Sequence, residues 1–230
     1  MVIIILISFV LVCICIDLIV QYNRKKKLSE KVISAPVYKT ISEYNPLIPQ
    51  GLVFDKGHMW AFMEKNGSVR IGLDDFIGNV TGSFNKVKMK SVGEKIQKGK
   101  PAVSVIQNGK LLSINAPLSG VVSAVNENLS DKSDLLTSSP YTNGWIYTLA
   151  PTNWFEDLKN LMSTNTYRTW LKDEFIRLKD FVANVNFRMN SLKEPVIYQD
   201  GGEIRKYFLE EFGPKIWEDF QTTFINNTSN

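Results

Sequence analysis

Ala102-Val103-Ser104-Val105-Ile106-Gln107-Asn108-Gly109-Lys110-Leu111-Leu112-Ser113-Ile114 is the stretch that decides the fold. Two apolar runs with alternating character flank the pair Asn108-Gly109. A two-residue hairpin turn needs positive φ at its central residues, which Asn and Gly tolerate best. The stretch therefore reads as a tight β-hairpin, with residues 102–106 going in and 111–114 coming out. Beyond it, Ala116-Pro117-Leu118-Ser119-Gly120-Val121-Val122 turns the chain and starts another strand, since proline ends ladder donation and glycine permits the bend. Upstream, Gly67 separates Trp60-Ala61-Phe62-Met63 from Val69-Arg70-Ile71-Gly72-Leu73, and Gly93 and Gly99 bracket a short polar segment. This is the punctuation of short strands. The expected product is a mainly β domain, a compact sandwich or flattened barrel with one protruding hairpin.

Composition narrows what such a domain could do. The 230 residues are 44% hydrophobic and 22% charged, and the formal charge of +4 is matched by one basic run, Arg24-Lys25-Lys26-Lys27. The remaining charges nearly balance, so no nucleic-acid footprint is expected. Both cysteines, Cys13 and Cys15, fall in the N-terminal apolar run, where they read as small apolar fillers. That leaves the rest of the chain without a thiol for a disulfide, a zinc knuckle or a nucleophile. A single histidine, His58, removes multi-histidine metal sites and makes any Ser-His-Asp arrangement depend on it alone. No metal ligands, no catalytic residues and no enzymatic activity are expected.

The N-terminal run from Val2 to Val20 is apolar apart from Ser8 and Asp17. At about 1.5 Å per helical residue it reaches roughly 28 Å, near the hydrocarbon thickness of a bilayer. No cleavage site for a secretory signal follows it, so it reads as one uncleaved transmembrane helix over residues 1–22. The basic cluster behind it places residues 24–230 on the cytoplasmic side of the cell membrane in a single-pass topology. Residues 23–57 form the basic juxtamembrane segment and linker, in which Pro36, Pro46 and Pro49 recur.

From Trp154 onward the periodicity becomes helical: Phe155, Leu158 and Leu161-Met162, then Tyr167, Trp170-Leu171, Phe175, Leu178 and Phe181-Val182. Two amphipathic helices are expected, the second carrying Lys172, Asp173, Glu174, Arg177, Lys179 and Asp180 on a solvated face. Gly201-Gly202 reads as a helix start leading into amphipathic segments over 204–212 and, after Gly213-Pro214, over 215–224, with Pro214 in the first turn of the last helix. The aromatics of this tail, Tyr207, Phe208, Phe212, Trp217, Phe220 and Phe224, either pack on the β domain or form a docking surface, and packing is the preferred reading.

Ordered pieces across residues 58–163 resemble the H-protein of the glycine cleavage system, a member of the biotinyl/lipoyl carrier superfamily. They are His58-Met59-Trp60, Val69-Arg70-Ile71-Gly72-Leu73-Asp74-Asp75-Phe76, Val92-Gly93-Glu94-Lys95-Ile96-Gln97-Lys98-Gly99, Ala116-Pro117-Leu118-Ser119-Gly120, Asn126 and Ser139-Pro140-Tyr141-Thr142-Asn143-Gly144-Trp145-Ile146. The resemblance implies a flattened barrel-sandwich hybrid of the lipoyl-carrier type with C-terminal helices, here followed by a helical extension over 164–230. His58, Trp60, Phe76 and Trp145 are expected as core and turn residues, and Asp74 and Asp75 as helix caps.

The resemblance also implies a lysine at the hairpin tip, acylated by lipoate so that the arm reaches successive active sites. Counting back from Ala116-Pro117 puts that position on Gly109, and Lys110 is the nearest amine. A one-residue shift turns a strand side chain to the opposite face. Lipoate on Lys110 therefore needs a rearranged hairpin, and a carrier fold that has lost its cargo is the preferred alternative. Two functions stand open: an H-like carrier tethered to the membrane and serving glycine-cleavage-type enzymes, or a scaffold module that docks a membrane-associated protein complex.

Overall fold

Asn108 (φ 49) and Gly109 (φ 80) both take left-handed backbone, so β6 (Pro101–Gln107) returns directly as β7 (Lys110–Asn115) with Gln107 opposite Lys110. This is the hairpin expected from Asn-Gly. β4 (Lys86–Lys88) pairs with the other side of β6, giving a three-stranded sheet in the order β4-β6-β7. The computed structural model describes residues 16, 17, 19–21, 48–190, 198, 199 and 203–226. The chain divides into two compact units, Met1–Tyr38 and Lys39–Asn230. Of the expected membrane span and linker, residues 1–15, 18 and 22–47 lie outside the described residues, and 16, 17 and 19–21 are helical. Among the described residues no helix is long and apolar enough to cross a membrane.

The second sheet has seven strands in the order β10-β1-β2-β3-β9-β8-β5. Its strands are β1 (Val53–Phe54), β2 (Met59–Met63), β3 (Val69–Leu73), β5 (Lys95–Ile96), β8 (Gly120–Val125), β9 (Trp145–Pro151) and β10 (Met162–Ser163). All of its pairings are antiparallel. Period-two alternation turns Ile71, Val122 and Leu149 of this sheet and Val105, Leu112 and Ile114 of the other into one buried core. Tyr147 ties the two sheets together: its hydroxyl donates to the Ala102 carbonyl at 2.9 Å and accepts from the Lys90 N–H at 2.6 Å. The expected sandwich is thus formed, with β1 already pairing to β2 before residue 58.

On β2 and β3 the buried Trp60 faces Gly72, and a Cβ on that glycine would stand 2.6 Å from the indole ring. The missing side chain lets the ring lie flat on the neighbouring strand. Asp74 ends β3 and caps α1 (Asp75–Thr81), its carboxylate accepting from the Phe76 and Ile77 N–H groups as expected of that position.

Beyond the sandwich come a short helix, Trp154–Leu158, and one helix of 27 residues, Thr164–Asn190, which we call α2. The buried stripe of α2 contains Tyr167, Leu171, Leu178, Val182 and Val185. One residue assigned to its solvated face is misplaced by the helical wheel: Glu174 is 1% exposed, because an ionic partner inside the domain draws it inward. The expected helix over 204–212 does not form either. Glu203–Ile204 pairs as a short strand with Tyr198–Gln199, Tyr207 adopts a left-handed φ of 61, and Phe208–Glu211 makes one 3-10 turn. A left-handed residue cannot continue a right-handed helix. Pro214 opens the last helix, α3 (Pro214–Phe220), as expected, and its end widens into a π-turn over Gln221–Asn226. Gly201-Gly202 lies outside the described residues. Phe208, Phe212, Trp217, Phe220 and Phe224 are buried, while Tyr207 is exposed, so the tail packs on the domain.

Candidate functional site

The two-residue turn decides what the hairpin tip can present. Gly109 sits at the apex, and a Cβ added there would meet nothing within 4 Å. The accessible position therefore carries no amine. Lys110, one residue on, leaves β7 on the same face as Leu112 and Ile114 and is 8% exposed. Its Nζ donates to the carbonyls of Glu210 at 2.7 Å and Phe212 at 3.3 Å and lies 4.9 Å from the centre of the Trp217 ring. Burial lowers the pKa of this amine, against the attraction of the Glu210 carboxylate.

Its neighbour across the turn is tied down as well. Gln107 Nε2 donates to the Thr81 carbonyl at 2.7 Å, the Ser83 carbonyl at 2.8 Å and Glu210 Oε1 at 3.0 Å. The Glu210 side chain reaches this position by crossing Gly82 (φ 77), where a Cβ would collide with its carboxylate. Gln221 Oε1 accepts from the Ser113 N–H at 2.9 Å and so closes the outer edge of β7. What remains open at the tip is a cavity of about 380 Å³ between Gly109, Leu111, Trp217, Glu218 and Gln221. The Glu210, Phe212, Trp217 and Gln221 contacts all come from the tail, and neither periodicity nor resemblance pointed to them.

The second polar constellation is enclosed. His58, with φ 64, is fully buried; its Nδ1 lies 2.8 Å from Asp74 Oδ2 and its Nε2 lies 3.5 Å from Glu174 Oε1. Burial alone pulls its pKa down, but the Asp74 and Glu174 carboxylates outweigh it and hold the imidazole up at about 9. The Tyr167 hydroxyl donates to the same Asp74 Oδ2 at 2.6 Å, and Arg177 meets Glu174 Oε2 at 2.5 Å. Phe76 stacks on the imidazole with ring centres 4.3 Å apart. With no exposed surface, this charged histidine cannot exchange protons with a substrate. It joins α2 to the β-sandwich, in keeping with its expected place as a core residue. The Glu174 partnership is what sequence reading missed, as residues 58 and 174 are distant along the chain.

Among the described residues no group of three or more His, Cys, Asp and Glu could hold a metal ion. Phe76 and Trp60 are buried and Trp145 is half-buried, beneath the guanidinium of Arg70 at 5.4 Å.

A family model described as Glycine cleavage H-protein matches residues 52–174. A probable glycine cleavage system H protein of Thermococcus kodakarensis is 35% identical over 132 residues, covering 57% of this chain and 96% of the relative. The glycine cleavage system H protein of Oceanobacillus iheyensis is 30% identical over 126 residues, covering 55% of this chain and 98% of the relative. A crystal structure of the H protein from Mycobacterium marinum aligns with 54% of this chain and 99% of its own, at 23% identity and a TM-score of 0.49.

Proposed function

The chain belongs to the glycine cleavage H-protein family, whose members are lipoyl carriers rather than catalysts, and on that premise we propose that it is a non-lipoylated, membrane-tethered platform of that family. The observation that carries this reading is the state of the hairpin: glycine at the apex, and the adjacent lysine held by two backbone carbonyls beneath Trp217.

The tail that covers Lys110 is an integral part of the domain. Phe208, Leu209, Phe212, Trp217, Phe220 and Phe224 are all nearly inaccessible to solvent. At about 1.5–3 kcal/mol for each large apolar side chain, their burial opposes release by on the order of 10 kcal/mol before ordering entropy is subtracted. An acylating enzyme would need the amine free and extended, so Lys110 acts as an anchor for the tail. The apolar run of residues 2–20 with its basic flank supports a single-pass tether with the domain on the cytoplasmic side. The proposed role is a rigid platform that docks a membrane-associated complex, glycine-cleavage-type enzymes among its candidate members.

Intact-mass spectrometry of the chain isolated from its native host tests the central claim. The unmodified mass is expected; addition of one lipoyl group, mapped to Lys110, would overturn the platform reading in favour of a working carrier. A reporter active only outside the cytoplasm, fused after Asn230, should stay inactive.

A further inference from the structure

Where β1 and β10 end, the two sheets leave a cavity of about 250 Å³ between them. Phe54 pairs with Met162, so Asp55 and Leu161, one residue beyond that pair on each strand, are neighbours at its wall. The base of the hairpin sheet supplies more of the wall: Lys98 bridges to Ala116, the Gly99 N–H donates to the Ala116 carbonyl at 2.9 Å, and Pro101 pairs with Asn115. Such a mouth between sheets is a usual place for a small-molecule site. The polar groups that line it are incompletely matched. Asp55 Oδ1 accepts from the Met59 N–H at 2.8 Å, but among the described residues no lysine or arginine pairs with this carboxylate. Burial raises it to about 6, with His58 drawing it down and Asp74 pushing it up, so it is mostly ionised at neutral pH. Lys98 Nζ donates to the Asp157 carbonyl at 3.1 Å and stands 3.6 Å from Asp157 Oδ1. An ammonium has three donors, so Lys98 can give another hydrogen bond. The side-chain amides of Asn115 and Asn160 make no hydrogen bond among the described residues.

We infer that this cavity binds a short aliphatic α-amino acid as its zwitterion, the ammonium on Asp55 and the carboxylate on Lys98 and the amide N–H groups of Asn115 and Asn160. Ala116 and Leu161 supply apolar wall for the alkyl group. The two signs of charge at the wall select this chemistry. A simple anion is repelled by Asp55, and a bare cation by Lys98 and by Lys56, which lines the same cavity. A neutral polyol reaches both groups with weaker, uncharged hydrogen bonds, whereas a zwitterion makes a charge-assisted bond at each end. Size sets the limit on the side chain. At roughly 30 Å³ per water the cavity has the volume of about eight waters, which suits an alkyl group of a few carbons. The site lies away from the hairpin tip and does not depend on the tether.

The test is saturation-transfer NMR on the full chain in detergent micelles at neutral pH, with L-alanine as the probe. Ethylamine, propionate and glycerol each keep one part of its chemistry and should bind at least about ten-fold more weakly, the loss expected when one charge-assisted hydrogen bond is missing. Asp55→Asn retains an acceptor for the Met59 N–H but not the charge, and should weaken alanine by at least about ten-fold without lowering the urea midpoint. Asn160→Phe, at an exposed position where a larger side chain does not enter the core, should fill the cavity and abolish binding. Lys159→Gln, beside the cavity but paired with Glu156, should bind alanine as wild type does. Absence of transfer from alanine overturns the inference, as does equal binding of propionate, ethylamine or glycerol. Alanine binding that survives in Asp55→Asn or in Asn160→Phe overturns it too, and if Asp55→Asn fails to fold, Asn160→Phe decides.

Discussion

Raising the pH from about 6 to 9.5 should destabilise this protein through one group, His58. Its imidazole is held at about 9 in the folded chain against an ordinary value of 6.5. Because the folded value is the higher, the stabilisation is complete below about 6.5 and is lost as the pH rises through about 9. The gap corresponds to roughly 3 kcal/mol, with a limiting slope of about 1.4 kcal/mol per pH unit. Two other shifted groups act mainly outside this window. Burial pushes the Asp55 carboxyl up to about 6 from 3.8, so its contribution favours the fold most in acid and has faded by neutrality. Burial raises the Tyr147 phenol to about 12 from 10.0, so it acts above this window. Urea denaturation followed by tryptophan fluorescence at pH 6, 7, 8 and 9 reads the effect directly. His58→Asn is the control, since asparagine tolerates the left-handed backbone at φ 64 without carrying the charge. Wild type should lose stability across the window and the variant should not. A flat profile in wild type, or the same slope in both, would refute the assignment of a charged histidine between Asp74 and Glu174.

Lys110→Met keeps the apolar stem but leaves the Glu210 and Phe212 carbonyls without their donor, and a loss of about 1–3 kcal/mol is expected in the same urea assay. Gly109→Ala should cost about 1 kcal/mol, because φ 80 strains any Cβ although the surrounding space is open; a neutral result would mean the turn is not of this type. Trp217→Ala removes a buried indole over the Lys110 amine and should cost about 3–5 kcal/mol while raising the labelling rate of Lys110 above that of wild type. Gly72→Ala should lower the melting temperature and disturb the fluorescence of Trp60, whose ring occupies the space the new methyl group needs.

The parts of the fold that could be read in advance are those written locally. Asn108-Gly109 determines a two-residue turn, the turn determines register, and register alone places Lys110 on the core face with Leu112. Asp74 announces a helix start because its carboxylate acts within three residues. Contacts between distant segments left no such trace. A charged residue at a helical spacing reads as solvated, and nothing near Glu174 reveals that His58 waits for it across the domain interior. The structure departs from helical periodicity over 204–212 for a related reason: Phe208 and Phe212 keep helical spacing, but it is the backbone N–H of Tyr207, bonded to the Asn79 carbonyl at 2.8 Å, that bends the chain into the left-handed region. The hairpin lysine shows both sides. Its inward direction was legible in the strand period, while the carbonyls that receive its amine belong to residues a hundred positions further on.

The closed outer edge of β7 restricts how any other protein can engage this one. Leu111 and Ser113 turn their N–H groups away from β6, the arrangement that invites an incoming strand to extend a sheet by β-augmentation. Gln221 takes the Ser113 donor, and α3 and the π-turn stand alongside it. A partner cannot recognise this hairpin by main-chain pairing along β7, so its specificity must come from side chains alone. The same closure removes a site at which copies of this chain could otherwise stack edge to edge.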